Sequence, residues 1–179
     1  MHIFLTGEIQ VGKTTIINKT LKQLKKSYGG FKTYFGPDRG AEDRLLYMNR
    51  ADEPNLFTTD HGIAVFKKDG FPQADTTKFN TYGVELIRRA KATNKAMLVM
   101  DECGNLECDA LSFQNEILKS LSDDHPILGV IKLSSSGWTD RIRAHSKVTL
   151  IMVTRDNRDK LPHLLIKHYL QSRYFNSLR

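Results

Sequence analysis

The sequence predicts an α/β domain: a mainly parallel β-sheet flanked by helices, with some antiparallel additions. Three observations lead there. Continuous apolar runs of strand length recur at His2–Thr6, Met97–Met100, Ile127–Leu133 and Val148–Val153, as expected for strands covered on both faces. Stretches with helical apolar spacing lie between them, which is the alternation that builds parallel sheets. The region from Gly36 to Lys78 breaks this rhythm with prolines, turn residues and short apolar runs.

In chain order, His2–Thr6 predicts the first buried strand and Gly7–Gly12 a loop. From Lys13 to Lys26, Ile16, Ile17, Leu21 and Leu24 form one stripe of a helix. Gly29-Gly30 is read as the stop of that helix. Phe31–Phe35 is a strand. Ile63–Phe66 followed by Lys67-Lys68-Asp69-Gly70 reads as a strand entering a hairpin. Tyr82–Ala92 and Phe113–Leu121 are predicted helices, and Leu161–Tyr174 closes the chain as a helix with Pro162 in its first turn.

The 179 residues suit one domain, taken as 1–179. Hydrophobic residues make up 40% and charged residues 26%, an ordinary globular balance. Met1–Thr6 is too short for a signal-peptide core, and no apolar run approaches the roughly 18 residues of a membrane helix. The expectation is a cytoplasmic protein without membrane attachment. Cys103 and Cys108 are too few for a disulfide framework or a zinc site, so both are expected as thiols. The net charge of +7 raises a nucleic-acid partner. The basic residues are spread along the chain, however, and fit the surface of an enzyme with a polyanionic ligand. A monomer is expected.

The chemistry concentrates in two segments. Gly7-Glu8-Ile9-Gln10-Val11-Gly12-Lys13-Thr14 matches G-x-x-x-x-G-K-[ST], with a strand before it and a helix after it. Gly7 and Gly12 permit backbone angles closed to other residues. The loop amides and the positive end of the helix can then converge on phosphate oxygens. Lys13 can reach the β- and γ-phosphates, and the Thr14 hydroxyl can ligate Mg²⁺. Met97–Met100 ending in Asp101 has the form of the second, metal-holding motif of such sites: an apolar strand and then a carboxylate at the sheet's carboxyl edge. Glu102 follows, where a carboxylate can polarise an attacking water. A water-activating Glu favours a hydrolase over a kinase.

With those motifs the chain resembles the small nucleoside-triphosphatases of the THEP type. The resemblance runs through the phosphate loop, Gly30-Phe31-Lys32-Thr33, Asn80-Thr81-Tyr82-Gly83-Val84 and Asp101-Glu102-Cys103-Gly104-Asn105-Leu106-Glu107. It continues in Pro126-Ile127-Leu128-Gly129 and Asn157-Arg158-Asp159-Lys160-Leu161-Pro162. It implies a RecA-like P-loop NTPase fold and Mg²⁺-dependent hydrolysis of a nucleoside triphosphate, ATP and GTP alike, to the diphosphate and phosphate. The nucleotide contacts it implies are Gly7, Glu8, Ile9, Gln10, Val11, Gly12, Lys13, Thr14 and Thr15. To these it adds Leu98, Val99, Met100, Asp101, Glu102, Cys103, Gly104 and Asn105. The chain departs from the family's pattern at Gln10, commonly Gly, at Asn105, often Lys, and at Val130 and Lys132.

Lys13, Glu102 and Arg158 are thus the candidate catalytic groups, and Thr14 and Asp101 the candidate metal ligands. Phosphoryl transfer wants a further cation against developing charge. Arg158 is the first choice, in a turn after a strand; Arg141, Arg143 and Arg155 come next. Trp138 could stack a base but reads more simply as packing. Two other functions fit the same motifs: a nucleotide or nucleoside kinase, with Arg141 and Arg143 as a small lid, and a nucleotide-dependent RNA-associated switch.

Overall fold

A computed structural model describes residues 2–37, 41–68 and 70–171. The chain opens with β1 (His2–Thr6), the phosphate loop and α1 (Lys13–Leu24). Next come β2 (Tyr28–Phe35), β3 (Arg44–Arg50), a 3₁₀ turn at Thr59–His61, β4 (Gly62–Phe66) and β5 (Gln73–Ala74). A continuous helical stretch follows: α2 (Thr76–Lys78), a π-helical turn (Phe79–Gly83) and α3 (Val84–Ala92). The remainder is β6 (Met97–Cys103), α4 (Leu111–Ser122), β7 (Ile127–Ile131), α5 (Trp138–Arg143), β8 (Val148–Met152) and α6 (Leu161–Gln171).

The eight strands form one sheet in the order β5-β4-β3-β2-β6-β7-β1-β8. Pairs from β2 through β8 by way of β6, β7 and β1 are parallel. The additions β3, β4 and β5 pair antiparallel. The expected architecture, including antiparallel strands from the middle region, is therefore present.

The continuous apolar runs have a direct explanation. Consecutive strand residues alternate between two cores, one on each face of the sheet. Phe4, Phe31, Leu98 and Met100 join α3 and α4 residues such as Ile87, Phe113 and Ile117. Ile3, Leu5, Val99, Leu128 and Val130 join Ile16, Ile17 and Leu21 of α1 and Leu165 and Tyr169 of α6. With both faces covered, β1, β6 and β7 are apolar at nearly every position; β8, at the sheet edge, is partly exposed.

Several expectations need correction. Helix α1 stops at Leu24 without a glycine: Lys25 takes the left-handed cap position at φ 51°, its N–H donating to Leu21 O. Gly29 and Gly30 instead belong to β2. Gly30 has φ +97°, and a β-carbon there would lie 2.2 Å from Val99 O of β6, so close strand approach demands a glycine. The helix expected from Tyr82 begins at Thr76, where the Asp75 side chain caps the Lys78 N–H at 2.9 Å. Helix α5, starting at Trp138, was not expected after the Ser134–Gly137 stretch. The predicted end of the last helix, 172–174, lies outside the described residues.

One buried group gives the fold a pH signature. His2 is fully buried, with Nε2 2.9 Å from Leu121 O. Burial, with the positive N-terminus adding to it, lowers its pKa from 6.5 to about 4. The folded chain thus holds His2 neutral while the unfolded chain protonates it, so stability above pH 6.5 is lost as pH falls from 6.5 toward 4. His2→Gln cannot titrate. Urea unfolding between pH 7 and pH 4 should show wild type losing roughly 2–3 kcal/mol relative to the variant. Parallel pH profiles would contradict this account.

Candidate functional site

The sheet order explains how distant segments meet. Gly129 of β7 pairs with Phe4 on one side and Met100 on the other. The residues that follow, Leu5-Thr6 and Asp101-Glu102, therefore emerge at one height on the carboxyl edge. Gly129 is required there, because a β-carbon would lie 2.4 Å from the Phe4 ring.

The phosphate loop leaves β1 through Gly7 at φ +146°, where a β-carbon would lie 2.6 Å from Val153 O. It enters α1 at Gly12, φ +108°. Between them Gln10 holds φ 63°, a region that costs a side-chain-bearing residue. Lys13 Nζ donates to Gly7 O at 2.7 Å and Glu8 O at 2.8 Å, so its ammonium lies against the loop.

Asp101 and Glu102 lie within β6, just before its last residue Cys103. Asp101 is 5% exposed and lies beside the Thr14 side chain. Burial raises its pKa to about 7; the neighbouring Thr14 hydroxyl and Lys13 oppose the rise, and Glu102 adds to it. Glu102 is half-buried. Burial raises its pKa too, against the pull of Lys13 and Lys132. Its N–H donates to Thr33 Oγ1 at 3.4 Å.

A cavity of about 760 Å³ opens over this edge. Its lining includes Gly7, Glu8, Ile9, Gln10, Gly12, Lys13, Thr14, Thr15, Glu102, Gly104 and Asn105. The other expected contacts lie elsewhere. Leu98, Met100 and Cys103 are fully buried, Val99 is 2% and Val11 8% exposed. They pack in the two cores: the β6 residues because their strand is covered on both faces, and Val11 because the loop folds it inward. Asp101 sits beneath Thr14 rather than on the cavity wall. Burial pushes the Cys103 thiol pKa well up, which keeps it protonated and unreactive.

Arg158 is exposed and outside the lining, yet adjacent: a β-carbon on Gly12 would lie 3.9 Å from its Cδ. Its turn is fixed by Asn157, whose side chain accepts from Thr154 N at 2.9 Å and donates to Met152 O at 2.9 Å. Arg143 is spent on structure, bonding Thr139, Asp140, Ser135 and Lys132 O. Arg141 and Arg155 are exposed. Trp138 is buried and donates to Gly104 O at 2.8 Å, so it braces the site instead of offering a stacking face.

Residues without an expected role also line the cavity. Lys132 faces both Glu102 and Glu107. Glu107 is 3% exposed and accepts from Gly104 N at 3.0 Å; burial raises its pKa to about 7. Thr33, Phe35, Arg44, Leu46 and Phe66 form the far wall. Lys132 follows the end of β7, the strand between the two motifs, and that position was its available signal. The far wall comes from antiparallel strands whose register the sequence does not reveal.

The donor chemistry suits a small divalent cation. Thr14 and Asp101 supply hard oxygens side by side, and the Asp101 carboxylate is buried. Among the described residues, no group of three His, Cys, Asp or Glu could hold a metal by itself. Mg²⁺ is usually held by one or two protein groups, with phosphates and water completing the shell.

A family model described as NTPase matches residues 2–166. The nucleoside-triphosphatase THEP1 of Natranaerobius thermophilus is 30% identical over 172 residues, 93% of this chain and 94% of that protein. The crystal structure of THEP1 from Aquifex aeolicus superposes with a TM-score of 0.75 at 21% identity, over 96% of this chain and all of that one. The solution structure of a human cancer-related nucleoside triphosphatase gives 0.69 at 25% identity, over 96% of this chain and 98% of that one. Among the described residues, no helix is long and apolar enough to cross a membrane.

The loop geometry yields a test. Gln10→Gly removes the left-handed backbone cost, so urea unfolding should show stability raised by about 1 kcal/mol. Unchanged or reduced stability would mean the loop carries no such cost at this position.

Proposed function

Because the chain belongs to the NTPase family, as a nucleoside-triphosphatase, we propose that it hydrolyses ATP and GTP to the diphosphate and phosphate, with Mg²⁺ held by Thr14 and Asp101. One observation supports this reading above the others: Thr14 at the start of α1 lies beside the buried Asp101 carboxylate near the tip of β6.

In this reading the amides from Gly7 to Thr15 bind the phosphate chain, helped by the positive end of α1. Lys13 turns from the loop carbonyls to the β- and γ-phosphates. Mg²⁺ bound beside Thr14 would neutralise charge on the same phosphates. Glu102 accepts the proton of the attacking water. Its raised pKa suits that role, since a more basic carboxylate accepts a proton more readily. The half-buried site around Glu102 limits competing water and strengthens each charge interaction. Arg158, beside Gly12, swings to the transferring phosphoryl group, and Lys132 holds Glu102 in orientation.

Phosphate release from ATP and GTP with Mg²⁺ tests the assignment. Glu102→Gln should lower kcat by about 100-fold or more, with affinity for a non-hydrolysable triphosphate changed by less than about threefold. Equal turnover in variant and wild type would remove Glu102 from the mechanism.

A further inference from the structure

The cavity is longer than the phosphate machinery needs. From the loop after β1 it passes Lys132 after β7 and Glu102 on β6, then reaches Thr33 and Phe35 on β2, Leu46 and Arg44 on β3, and Phe66 on β4. Register puts the far residues together: Phe35 pairs with Leu46, and Arg44 pairs with Phe66. The Phe35 and Phe66 rings meet edge to face at 5.0 Å and 72°. The Arg44 guanidinium lies over both, 4.9 Å and 5.5 Å from their centroids. An aromatic and apolar wall with a guanidinium on it matches a ligand that joins a planar ring to an anionic group.

This wall is not where the triphosphate's own base belongs. The terminal phosphate is the one that faces Lys13, Asp101 and Glu102, and the wall lies beyond that end, on the side away from the loop. Strand spacing of about 4.8 Å sets β2 roughly 14 Å across the sheet from β1, with β3 and β4 further still. We propose that Phe35, Arg44, Leu46 and Phe66 form a second subsite that binds a nucleoside monophosphate beyond the terminal phosphate, its base on the aromatic wall and its anionic group toward Arg44. The phosphate loop and the second subsite are then occupied together, and the second ligand covers the open end of the cavity next to Glu102. The proposal rests on the triphosphate occupying the phosphate loop.

Calorimetry tests both parts separately. A non-hydrolysable ATP analogue with Mg²⁺ is titrated first; AMP or GMP is then titrated into the saturated protein, with adenosine and inorganic phosphate as ring-only and anion-only probes. One monophosphate should bind per chain without displacing the analogue, and more tightly than either partial probe. Arg44→Gln and Phe66→Leu should each weaken AMP about tenfold and leave analogue affinity within about twofold. Thermal unfolding midpoints verify that both variants fold, and Phe35→Leu serves if Phe66→Leu does not. Failure of the analogue to bind overturns the hydrolase reading and the subsite with it. Analogue binding without AMP binding, displacement of the analogue by AMP, or unaltered AMP affinity in the variants overturns the subsite alone. Weakened analogue binding in Phe66→Leu overturns it too, by assigning the wall to the triphosphate's base.

Discussion

The site depends on one juxtaposition, Thr14 at the start of α1 beside the buried Asp101 carboxylate of β6. Neither residue could hold that position by itself. Thr14 is carried by α1, whose stripe of Ile16, Ile17 and Leu21 packs on one face of the sheet. Asp101 is carried by β6, whose Leu98 and Met100 pack on the other face and whose Val99 faces α1. Strand β7 spaces β6 from β1 and sets their relative height through Gly129, which must lack a side chain because the Phe4 ring fills that space. Parallel pairing thus converts two remote motifs into neighbours at a single edge, where open α/β sheets bind ligands.

Burial creates the electrostatic character of that edge. Asp101, Glu102 and Glu107 all have raised pKa values, each chiefly from loss of water. Lys13 and Lys132 offset this only in part. Such a cluster favours cations and proton acceptance, which is what a metal-assisted attack by water requires. The surroundings keep the cluster rigid. Trp138 and Glu107 clamp Gly104 from its carbonyl and amide sides, and Arg143 ties down the Lys132 carbonyl. These residues act by holding others in place.

The legible parts of the sequence were those with local physical signatures. The phosphate loop announces itself because each of its residue types answers a backbone or charge requirement. Strands β1, β6 and β7 are continuous apolar runs because two cores cover them, whereas the run of β8 lies at the sheet edge, partly exposed. Other features depend on tertiary context. Lys25 caps α1 in a conformation that glycine usually supplies. Gly29 and Gly30 look like a helix stop but serve close packing of β2: a β-carbon on Gly29 would lie 2.6 Å from that of Ala90 on α3. Helix α5 is capped at Gly137, where Asp140 Oδ2 accepts from its N–H at 2.8 Å, a short helix with little periodicity to read. The aromatic wall is built by strand register between β2, β3 and β4, which no single segment encodes.

The most direct measurement is a crystal structure with Mg²⁺ and a non-hydrolysable triphosphate. The account predicts the ion about 2.0–2.1 Å from Thr14 Oγ1 and from a phosphate oxygen, with Asp101 contacting it directly or through one water and Glu102 facing the terminal phosphate. An ion held away from both Thr14 and Asp101 would contradict it.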